Sequence, residues 1–256
     1  MGHGLPWDSR QEGGHLDLED TVTRTRLVHD LADLIAMVDR SHPVRVAIDG
    51  VDAAGKTMLA DELVQLLEDR GRAVLRASID GFHRTRDERY RRGLDSPEGY
   101  YYDSFDYEAL RSLLLLPLGP GGSRNYQRAC FDFRSNEPVE EPPRHAPLDS
   151  VLLFDGVFLL RPELEDCWDY RVFLAVDFEE TVRRASMRDQ PLFGSESAAL
   201  QRYWTRYVPG QKLYLKEAQP QERADVIVEN TDISHPRLLV RNYPRPREEM
   251  ALEGMA

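Results

Sequence analysis

The chain has 256 residues, and its 33 Lys and Arg residues against 45 Asp and Glu residues give it a formal net charge of −12. Non-specific binding to DNA or to anionic lipid depends on clustered positive charge, so this composition argues against both partners. No apolar run approaches the roughly 18 residues of a membrane-spanning helix, and the polar start lacks the apolar core of a signal peptide. The two cysteines, Cys130 and Cys167, cannot form a disulfide framework. These features predict a cytoplasmic protein that binds neither nucleic acid nor membranes.

Apolar residues alternate along the chain between helical spacing and short continuous runs. In chain order, the predicted elements are a helix over 27–38, a strand over 44–48, a helix over 56–69, a strand over 73–79, a helix over 107–116, strands over 151–155 and 170–176, helices over 179–188 and 197–217, and a strand over 224–229. The first strand–helix–strand unit is typical of a right-handed parallel crossover. The pattern predicts one doubly wound α/β domain, with a sheet of about five mainly parallel strands flanked by helices.

Composition also predicts the domain boundaries. Residues 1–20 are polar and rich in Gly and His, which indicates a disordered arm or an artificial extension, and residues 236–256 form a polar tail rich in Arg and Pro. A single domain is expected over 21–235. Within it, the segment 82–147 is long and rich in Arg, Tyr, Pro and Gly, and we expect it to bind the substrate because long irregular segments in compact domains are usually functional or disordered. The segment 184–210 is expected to be a mobile lid.

A phosphate-binding loop directly follows the first predicted strand and opens the next helix. The motif is Gly50-Val51-Asp52-Ala53-Ala54-Gly55-Lys56-Thr57, which matches G-x-x-x-x-G-K-[ST] in full. Its glycines let successive amide N–H groups point at phosphate oxygens, and the helix N-terminus adds its dipole. Lys56 would reach the β- and γ-phosphates of a nucleoside triphosphate, and the Thr57 hydroxyl would bind Mg²⁺. The sequence therefore predicts binding of ATP or GTP together with Mg²⁺.

Two acidic residues end predicted strands close to this loop. Because the carboxyl ends of neighbouring parallel strands face one crevice, Asp80 should share that crevice with the loop. Asp80 could accept the proton of a substrate hydroxyl as it attacks the γ-phosphate, or it could only cap an Asp-Gly turn. Asp155 ends the strand over 151–155 and is predicted to support Mg²⁺, either directly or in the surrounding shell.

Cationic and aromatic residues supply further candidates. Arg184 and Arg188 share a helix face ahead of a predicted hinge, and lid arginines can stabilise the transferring phosphoryl group, although most such pairs are solvated surface. His83 lies three residues after Asp80, so it could touch the substrate or be structural. Tyr100 could stack on a base or cover an edge of the core.

In their order and spacing, these segments resemble the phosphoribulokinase/uridine kinase family of P-loop small-molecule kinases, over about residues 44–232. The resemblance is carried by the phosphate-binding loop, Asp80-Gly81-Phe82-His83, Tyr102-Asp103-Ser104-Phe105-Asp106, Phe154-Asp155-Gly156-Val157, residues 184–189, Tyr207-Val208-Pro209-Gly210 and Asn230-Thr231-Asp232. It implies a P-loop NTPase fold with a mobile lid.

The resemblance also implies a role for each matched residue. Asp80 takes the place of the family's catalytic base and helps to organise Mg²⁺. Asp155 stands where uridine kinases usually have a glutamate near the metal. Arg184 and Arg188 match the lid arginines, and Asn230 lies where the adenine of ATP is commonly held.

The acceptor side departs from the family pattern. The aspartate that binds ribose hydroxyls in the family has Asp103 as its nearest counterpart, with Tyr100 as the alternative at that place. The family segment that recognises the pyrimidine corresponds to residues 131–136, so Phe131 and Arg134 are candidate substrate contacts. This segment lacks the tyrosine hydroxyl and the following histidine of uridine kinases.

The resemblance implies an ATP- and Mg²⁺-dependent kinase that phosphorylates a hydroxyl group of a small molecule, foremost the 5′-hydroxyl of a pyrimidine nucleoside such as uridine or cytidine. One alternative keeps this chemistry and changes the acceptor to pantothenate, a sugar phosphate or a nucleoside-like natural product. A nucleotide-binding regulatory ATPase is an alternative of a different class. The sequence decides neither between ATP and GTP nor whether the chain forms a homo-oligomer.

Overall fold

The computed structural model of the protein describes residues 23–244. The expected arm of residues 1–20 and the part of the expected tail beyond residue 244 lie outside the described residues. The helices are α1 (Arg24–Met37), α2 (Lys56–Asp69), α3 (Arg86–Tyr90), α4 (Pro97–Asp103), α5 (Tyr107–Leu110), α6 (Phe178–Arg188), α7 (Gln190–Phe193), α8 (Glu196–Arg202), α9 (Val208–Ala218) and α10 (Pro220–Arg223). The strands are β1 (Val44–Gly50), β2 (Val74–Ser78), β3 (Asn125–Tyr126), β4 (Phe131–Asp132), β5 (Glu137–Pro138), β6 (Arg144–His145), β7 (Val151–Gly156), β8 (Tyr170–Ala175), β9 (Val226–Glu229) and β10 (Arg237–Val240).

The central sheet has the strand order β10-β9-β8-β1-β7-β2. β1 pairs in parallel with both β7 and β8, β2 is parallel to β7, and β9 is parallel to β8. Every residue of β1 and β7 is buried, as expected for strands covered by helices on both faces. The predicted doubly wound α/β fold is therefore confirmed. Its parallel strands bring their carboxyl ends to one edge of the sheet, which is where such folds bind ligands.

The sheet has one strand more than the sequence pattern predicts. β10 lies inside the expected polar tail of residues 236–256 and pairs antiparallel with β9, so that tail does not begin at 236. Leu238 and Val240 of β10 are only partly buried against the core. A four-residue edge strand with so little apolar burial, flanked by Arg and Pro, gives a weak signal in the sequence.

Two hydrophobic layers hold the sheet. On one face, Leu31 and Ile35 of α1 and Leu59 and Leu63 of α2 pack against the strands with almost no solvent exposure. On the other face, the core is built from α4, α5, α9 and the residues after β7, with aromatic side chains such as Phe158 at its centre. In the described part of the chain, no helix combines the length and the apolar character needed to cross a membrane.

The segment 82–147 is more regular than its composition predicts. It contains α3, α4 and α5 and two small antiparallel ladders, β3 with β6 and β4 with β5. Turns of π-helix at Arg111–Leu115 and Tyr203–Tyr207 continue α5 and join α8 to α9. The predicted helices over 107–116 and 197–217 are therefore each found as composite helices.

A buried arginine fastens the expected lid to this segment. Arg206 is only 2% exposed, and its guanidinium donates to the carbonyl oxygens of Arg89, Gly93, Leu94 and Ser96. The guanidinium also lies 4.7 Å from the centre of the Tyr90 ring. These contacts tie Arg206 to α3, to the turn that follows it and to the residue before α4.

We expect Arg206→Ala to lower the free energy of unfolding by about 3 kcal/mol, because it removes a buried guanidinium together with its four backbone hydrogen bonds and its packing on the Tyr90 ring. The matched control is Arg202→Ala, which removes a more exposed arginine that bonds Asp95 and the Leu94 carbonyl one helical turn earlier. Its loss should stay at about 1 kcal/mol or less. Urea unfolding of both variants measures the difference, and equal losses would contradict the structural role given to Arg206.

Candidate active site

Two glycines shape the loop after β1. Gly50 has a φ of +153°, and a Cβ at this position would lie 2.7 Å from the carbonyl oxygen of Leu174 in β8. Gly55 has a φ of +97°, and a Cβ there would lie 2.9 Å from Nδ2 of Asn230. The loop ends in the first turn of α2, where the Leu59 N–H donates to the Gly55 carbonyl at 3.0 Å. The amides of Lys56 and the next residues precede this bond, so they have no helical acceptor and can bind an anion.

Lys56 folds back over the loop that it follows. Its side chain is buried, and Nζ donates to the Val51 carbonyl oxygen at 2.7 Å. Burial lowers the pKa of Lys56, while the negative charges of Asp52, Asp49 and Asp155 act in the opposite direction. The ammonium group is therefore poorly hydrated and strongly attracted to negative charge, which suits a residue that binds phosphate oxygens.

Thr57 and Asp155 come together at the carboxyl ends of β1 and β7. The Thr57 hydroxyl donates to Oδ2 of Asp155 at 2.6 Å, and Arg76 binds Oδ1 of the same carboxylate at 3.0 Å. Hydroxyl and carboxylate oxygens are the ligands that Mg²⁺ prefers, and Mg²⁺ usually takes only one or two carboxylates beside substrate phosphates. Within residues 23–244, no group of three or more His, Cys, Asp or Glu residues could hold a metal by itself. The residues present therefore fit Mg²⁺ bound jointly with a nucleotide.

Asp80 lies just after β2, in a short 3₁₀-helix whose first turn is capped by the Ser78 hydroxyl. The residue is exposed at the cleft, but the protein that surrounds its carboxyl group removes part of its hydration and raises its pKa. The charge of Asp155 also raises that pKa, whereas Lys56 and Arg188 lower it. These mutual effects place Asp80 in one electrostatic cluster with Lys56 and Asp155.

The two predicted lid arginines have different partners. Arg188 makes a two-pronged ion pair with Asp189 at 2.7 and 2.9 Å, which is the main reason that its pKa is raised. It is also close enough to Asp80 and Lys56 for its charge to act on both. Arg184 instead donates to the carbonyl oxygens of Asn230 and Thr231 at 3.0 and 2.7 Å. The structure thus brings Arg188 toward the loop lysine and Arg184 toward the end of β9.

Asn230 connects the last parallel strand with the phosphate-binding loop. It is 1% exposed, and Nδ2 donates to the Ala54 carbonyl oxygen at 2.8 Å. Its backbone N–H donates to the Ala175 carbonyl at the end of β8. Asn230 therefore fixes the loop from the side on which the resemblance expects the adenine.

His83, a predicted substrate residue, contacts the backbone of Asp80. Its ring lies between Phe105 and Phe133, with centroid distances of 4.5 and 4.8 Å, and Nδ1 donates to the Asp80 carbonyl at 3.1 Å. Burial lowers the pKa of His83 to about 4, so the ring is neutral near pH 7. With Nδ1 donating, Nε2 is left as a hydrogen-bond acceptor.

The other predicted substrate residues are more dispersed. Asp103 is 2% exposed and already forms ion pairs with Arg91 and Arg92. Phe131 is 7% exposed in β4, so it is Phe133, and not Phe131, that reaches His83.

Arg134 and Tyr100 remain near the cleft. Arg134 is exposed, and its charge lowers the pKa of Asp80. The Tyr100 hydroxyl donates to Oδ2 of Asp52 at 2.8 Å, while the ring packs edge-on against Phe158 and Tyr207. Tyr100 therefore joins the segment 82–147 to the phosphate-binding loop.

Sequence reasoning missed three residues that the structure places at the site: Arg76, Phe133 and Gln211. Arg76, which binds Asp155, was signalled only by a charge within the apolar run over 73–79. Phe133 lies two residues from the candidate Phe131 but beyond the end of β4. Gln211 donates to Asp52 at 2.6 Å, and nothing in its sequence surroundings indicates that contact.

Comparison with known proteins gives relatives of modest identity. No family model matches the chain. Uridine-cytidine kinase B of Dictyostelium discoideum is 28% identical over 149 residues, which are 58% of this chain and 59% of that protein. Uridine kinase of Alkaliphilus metalliredigens (strain QYMF) is 23% identical over 194 residues, which are 73% of this chain and 88% of that protein. The matched part of the chain spans only about half the length of several relatives, including 44% of Uridine-cytidine kinase A of Dictyostelium discoideum.

Solved structures share the fold. A structure described as a possible uridine kinase from Bacillus stearothermophilus has a TM-score of 0.63 and 24% identity, and the match covers 79% of this chain and 98% of that one. D-glycerate 3-kinase from Cryptococcus neoformans has a TM-score of 0.53 and 13% identity, and the match covers 83% and 99% of the two chains. Together with the loop geometry, these likenesses define a P-loop kinase fold. The curated relatives carry uridine kinase names, so the chain is similar in sequence and in fold to uridine kinase-like P-loop kinases.

We expect Gly55→Ala to weaken ATP binding at least about tenfold, because the new Cβ would collide with Asn230 and displace the loop amides. Gly71→Ala is the matched control, since Gly71 also has a positive φ, of +77°, but a Cβ added there, just after α2, would meet nothing within 4 Å. Both variants should lose about 1 kcal/mol of stability from backbone strain, but only Gly55→Ala should lose nucleotide affinity. Isothermal titration calorimetry measures the dissociation constant of ATP for both variants. An unchanged constant in Gly55→Ala would contradict the assigned loop geometry.

Proposed function

We propose that the protein transfers the γ-phosphoryl group of ATP to a hydroxyl group of a small molecule, and that this acceptor is a pyrimidine nucleoside phosphorylated at its 5′-hydroxyl, such as uridine or cytidine. The observation that carries the proposal is the convergence of Lys56, Thr57, Asp80 and Asp155 at the carboxyl ends of β1, β2 and β7. Relatives named uridine kinase and uridine-cytidine kinase support the choice of acceptor.

The nucleotide-binding half of the proposal rests on the loop. Its free amides and the dipole of α2 favour the phosphates, and Lys56 exchanges its bond with the Val51 carbonyl for phosphate oxygens. Asn230 holds the loop on the side proposed for the adenine, and Arg184 reinforces that side through the Asn230 and Thr231 carbonyls. The same contacts would accommodate GTP, so the preference for ATP rests on the family resemblance.

Thr57 and Asp155 are the residues that would hold Mg²⁺, with Asp80 close by. When bound, Mg²⁺ neutralises charge on the β- and γ-phosphates. Arg76 binds Oδ1 of Asp155, and Oδ2 accepts the hydrogen bond of the Thr57 hydroxyl. This fixed orientation presents the hydroxyl and the carboxylate as one donor pair.

Asp80 is proposed as the general base. It accepts the proton of the acceptor hydroxyl as that oxygen forms its bond to the γ-phosphorus and the bond to the leaving ADP oxygen breaks. Its raised pKa makes it a better proton acceptor than an ordinary aspartate, and Lys56 and Arg188 still favour the ionised form. The charge of Arg188 acts on both Asp80 and Lys56. Release of Arg188 from Asp189 would let its guanidinium bind the transferring phosphoryl group.

The acceptor is expected between Asp80 and the segment 82–147. His83 presents a neutral ring beside Asp80, and Phe133 stacked on it offers an apolar edge to a base. Arg134 adds a cation at the rim, and Tyr100 forms the wall next to the loop. Asp103, by contrast, is taken up by Arg91 and Arg92, so it serves to hold α4 rather than to bind the acceptor.

With Mg²⁺ and ATP, we expect uridine or cytidine to stimulate ADP release far above a control without acceptor. Asp80→Asn and Lys56→Ala should each lower kcat at least about 1,000-fold, because they remove the base and the phosphate-binding cation, while the fold stays intact by circular dichroism. Coupled ADP assays with pantothenate and sugar phosphates beside the nucleosides measure the choice of acceptor.

The matched controls are Asp69→Asn at the C-terminal end of α2, opposite to the end that carries the loop, and Lys216→Ala near the C-terminal end of α9, and both should keep kcat within about threefold. Near wild-type turnover in Asp80→Asn would contradict its role as base. ADP release that no acceptor stimulates would favour a regulatory ATPase, and stimulation only by another alcohol would move the acceptor away from nucleosides.

A further inference from the structure

Asp52 is an acid inside a loop that binds negatively charged phosphates. It is the third residue of the motif, and the loop holds no compensating arginine. Its Oδ2 accepts hydrogen bonds from the Tyr100 hydroxyl at 2.8 Å and from Nε2 of Gln211 at 2.6 Å. Tyr100 belongs to α4 in the segment 82–147, and Gln211 belongs to α9 next to the lid. The carboxylate is therefore held at the junction of the loop, the acceptor segment and the lid.

The two donors orient the carboxylate strictly. Both bonds go to Oδ2, and within the described residues no side chain or amide donates to Oδ1. Asp52 as a residue is partly exposed, although the protein around its carboxyl group removes hydration and raises its pKa. Lys56, Arg188 and Asp80 are all near enough for their charges to act on Asp52. Oδ1 is thus an unused acceptor beside the group proposed as the base.

A carboxylate in this place cannot favour the triphosphate, because like charges repel and both are poorly hydrated. It can favour a hydroxyl, which donates to a carboxylate in a charge-assisted hydrogen bond. The other acids near the acceptor do not offer such an oxygen. Asp103 is occupied by Arg91 and Arg92, and Asp49 is fully buried and bonded to Tyr214 and the Gly50 amide.

We propose that Oδ1 of Asp52 binds a second hydroxyl group of the acceptor, so that this loop residue selects acceptors that carry a hydroxyl beside the phosphorylated one, as a ribose does. The inference rests on the proposed function, because it places the acceptor between Asp52 and Asp80. Tyr100 and Gln211 are positioning residues that keep Oδ1 turned toward the acceptor. Asp52 then faces the acceptor rather than ATP, although it belongs to the phosphate-binding motif.

Asp52→Asn is an isosteric test with a predictable geometry. Tyr100 and Gln211 both donate, so the amide oxygen must take the Oδ2 position and the NH₂ group must replace Oδ1. The variant thus presents a donor where the wild type presents a charged acceptor. We expect it to raise KM for uridine at least about tenfold and to leave the dissociation constant of ATP, titrated without uridine, within about threefold.

Deoxy analogues identify the hydroxyl. One of the two analogues, 2′-deoxyuridine or 3′-deoxyuridine, lacks the hydroxyl that Asp52 is proposed to bind. For that analogue, the KM of the wild type and the KM of Asp52→Asn should agree within about threefold. Asp33→Asn in α1, an exposed acid remote from the cleft, is the matched control and should keep KM unchanged.

The outcomes separate the two claims. If wild type shows no uridine-stimulated ADP release, the proposed acceptor fails and this inference fails with it. If wild type is active and Asp52→Asn keeps its KM for uridine, the inference alone is overturned. The inference is also overturned if Asp52→Asn loses affinity for ATP instead, or if the substitution raises KM by the same factor for uridine and for both deoxy analogues.

Discussion

The parallel pairing of β1 with β7 is the constraint on which the site depends. It sets Ile48 opposite Asp155 and Asp49 opposite Gly156, so the loop that follows β1 begins beside the acid that ends β7. The hydrogen bond between Thr57 and Asp155 at 2.6 Å follows from this register. Both strands are buried along their whole length, so a one-residue slip in register would exchange the side chains packed on the two faces and disrupt both hydrophobic layers. The hydrophobic core thus also determines the distance between the two proposed Mg²⁺ ligands.

Around this constraint, the phosphate-binding loop is tied to every part that the proposed reaction needs. Asn230 binds it from the end of β9, and Tyr100 and Gln211 bind it from the acceptor segment and from α9. Arg206 in turn fastens the lid region to the residues after α3. Hydrogen bonds therefore join the loop to the end of β9, to α4 and to α9, and Arg206 joins the residues before α9 to those before α4.

Part of this arrangement follows from sequence alone. The loop motif and the acids at strand ends predict Lys56, Thr57, Asp80 and Asp155 at one edge of the sheet, because parallel topology brings strand ends together. Contacts that tertiary packing decides are not predictable in this way. In the sequence, Asp103 looks like a free acid, although it pairs with two nearby arginines in the structure. The strand β10 is hard to predict because it is short and its surroundings are rich in Arg and Pro.

The central claim is phosphoryl transfer to a nucleoside hydroxyl, and the most direct measurement follows the phosphorus atom itself. Incubation of the protein with Mg²⁺, uridine and ATP labelled in the γ-phosphoryl group should move the label into uridine 5′-monophosphate, and Asp80→Asn should abolish that transfer. Label found only in inorganic phosphate, with or without uridine, would contradict the account, because the protein would then hydrolyse ATP without passing the phosphoryl group to an acceptor.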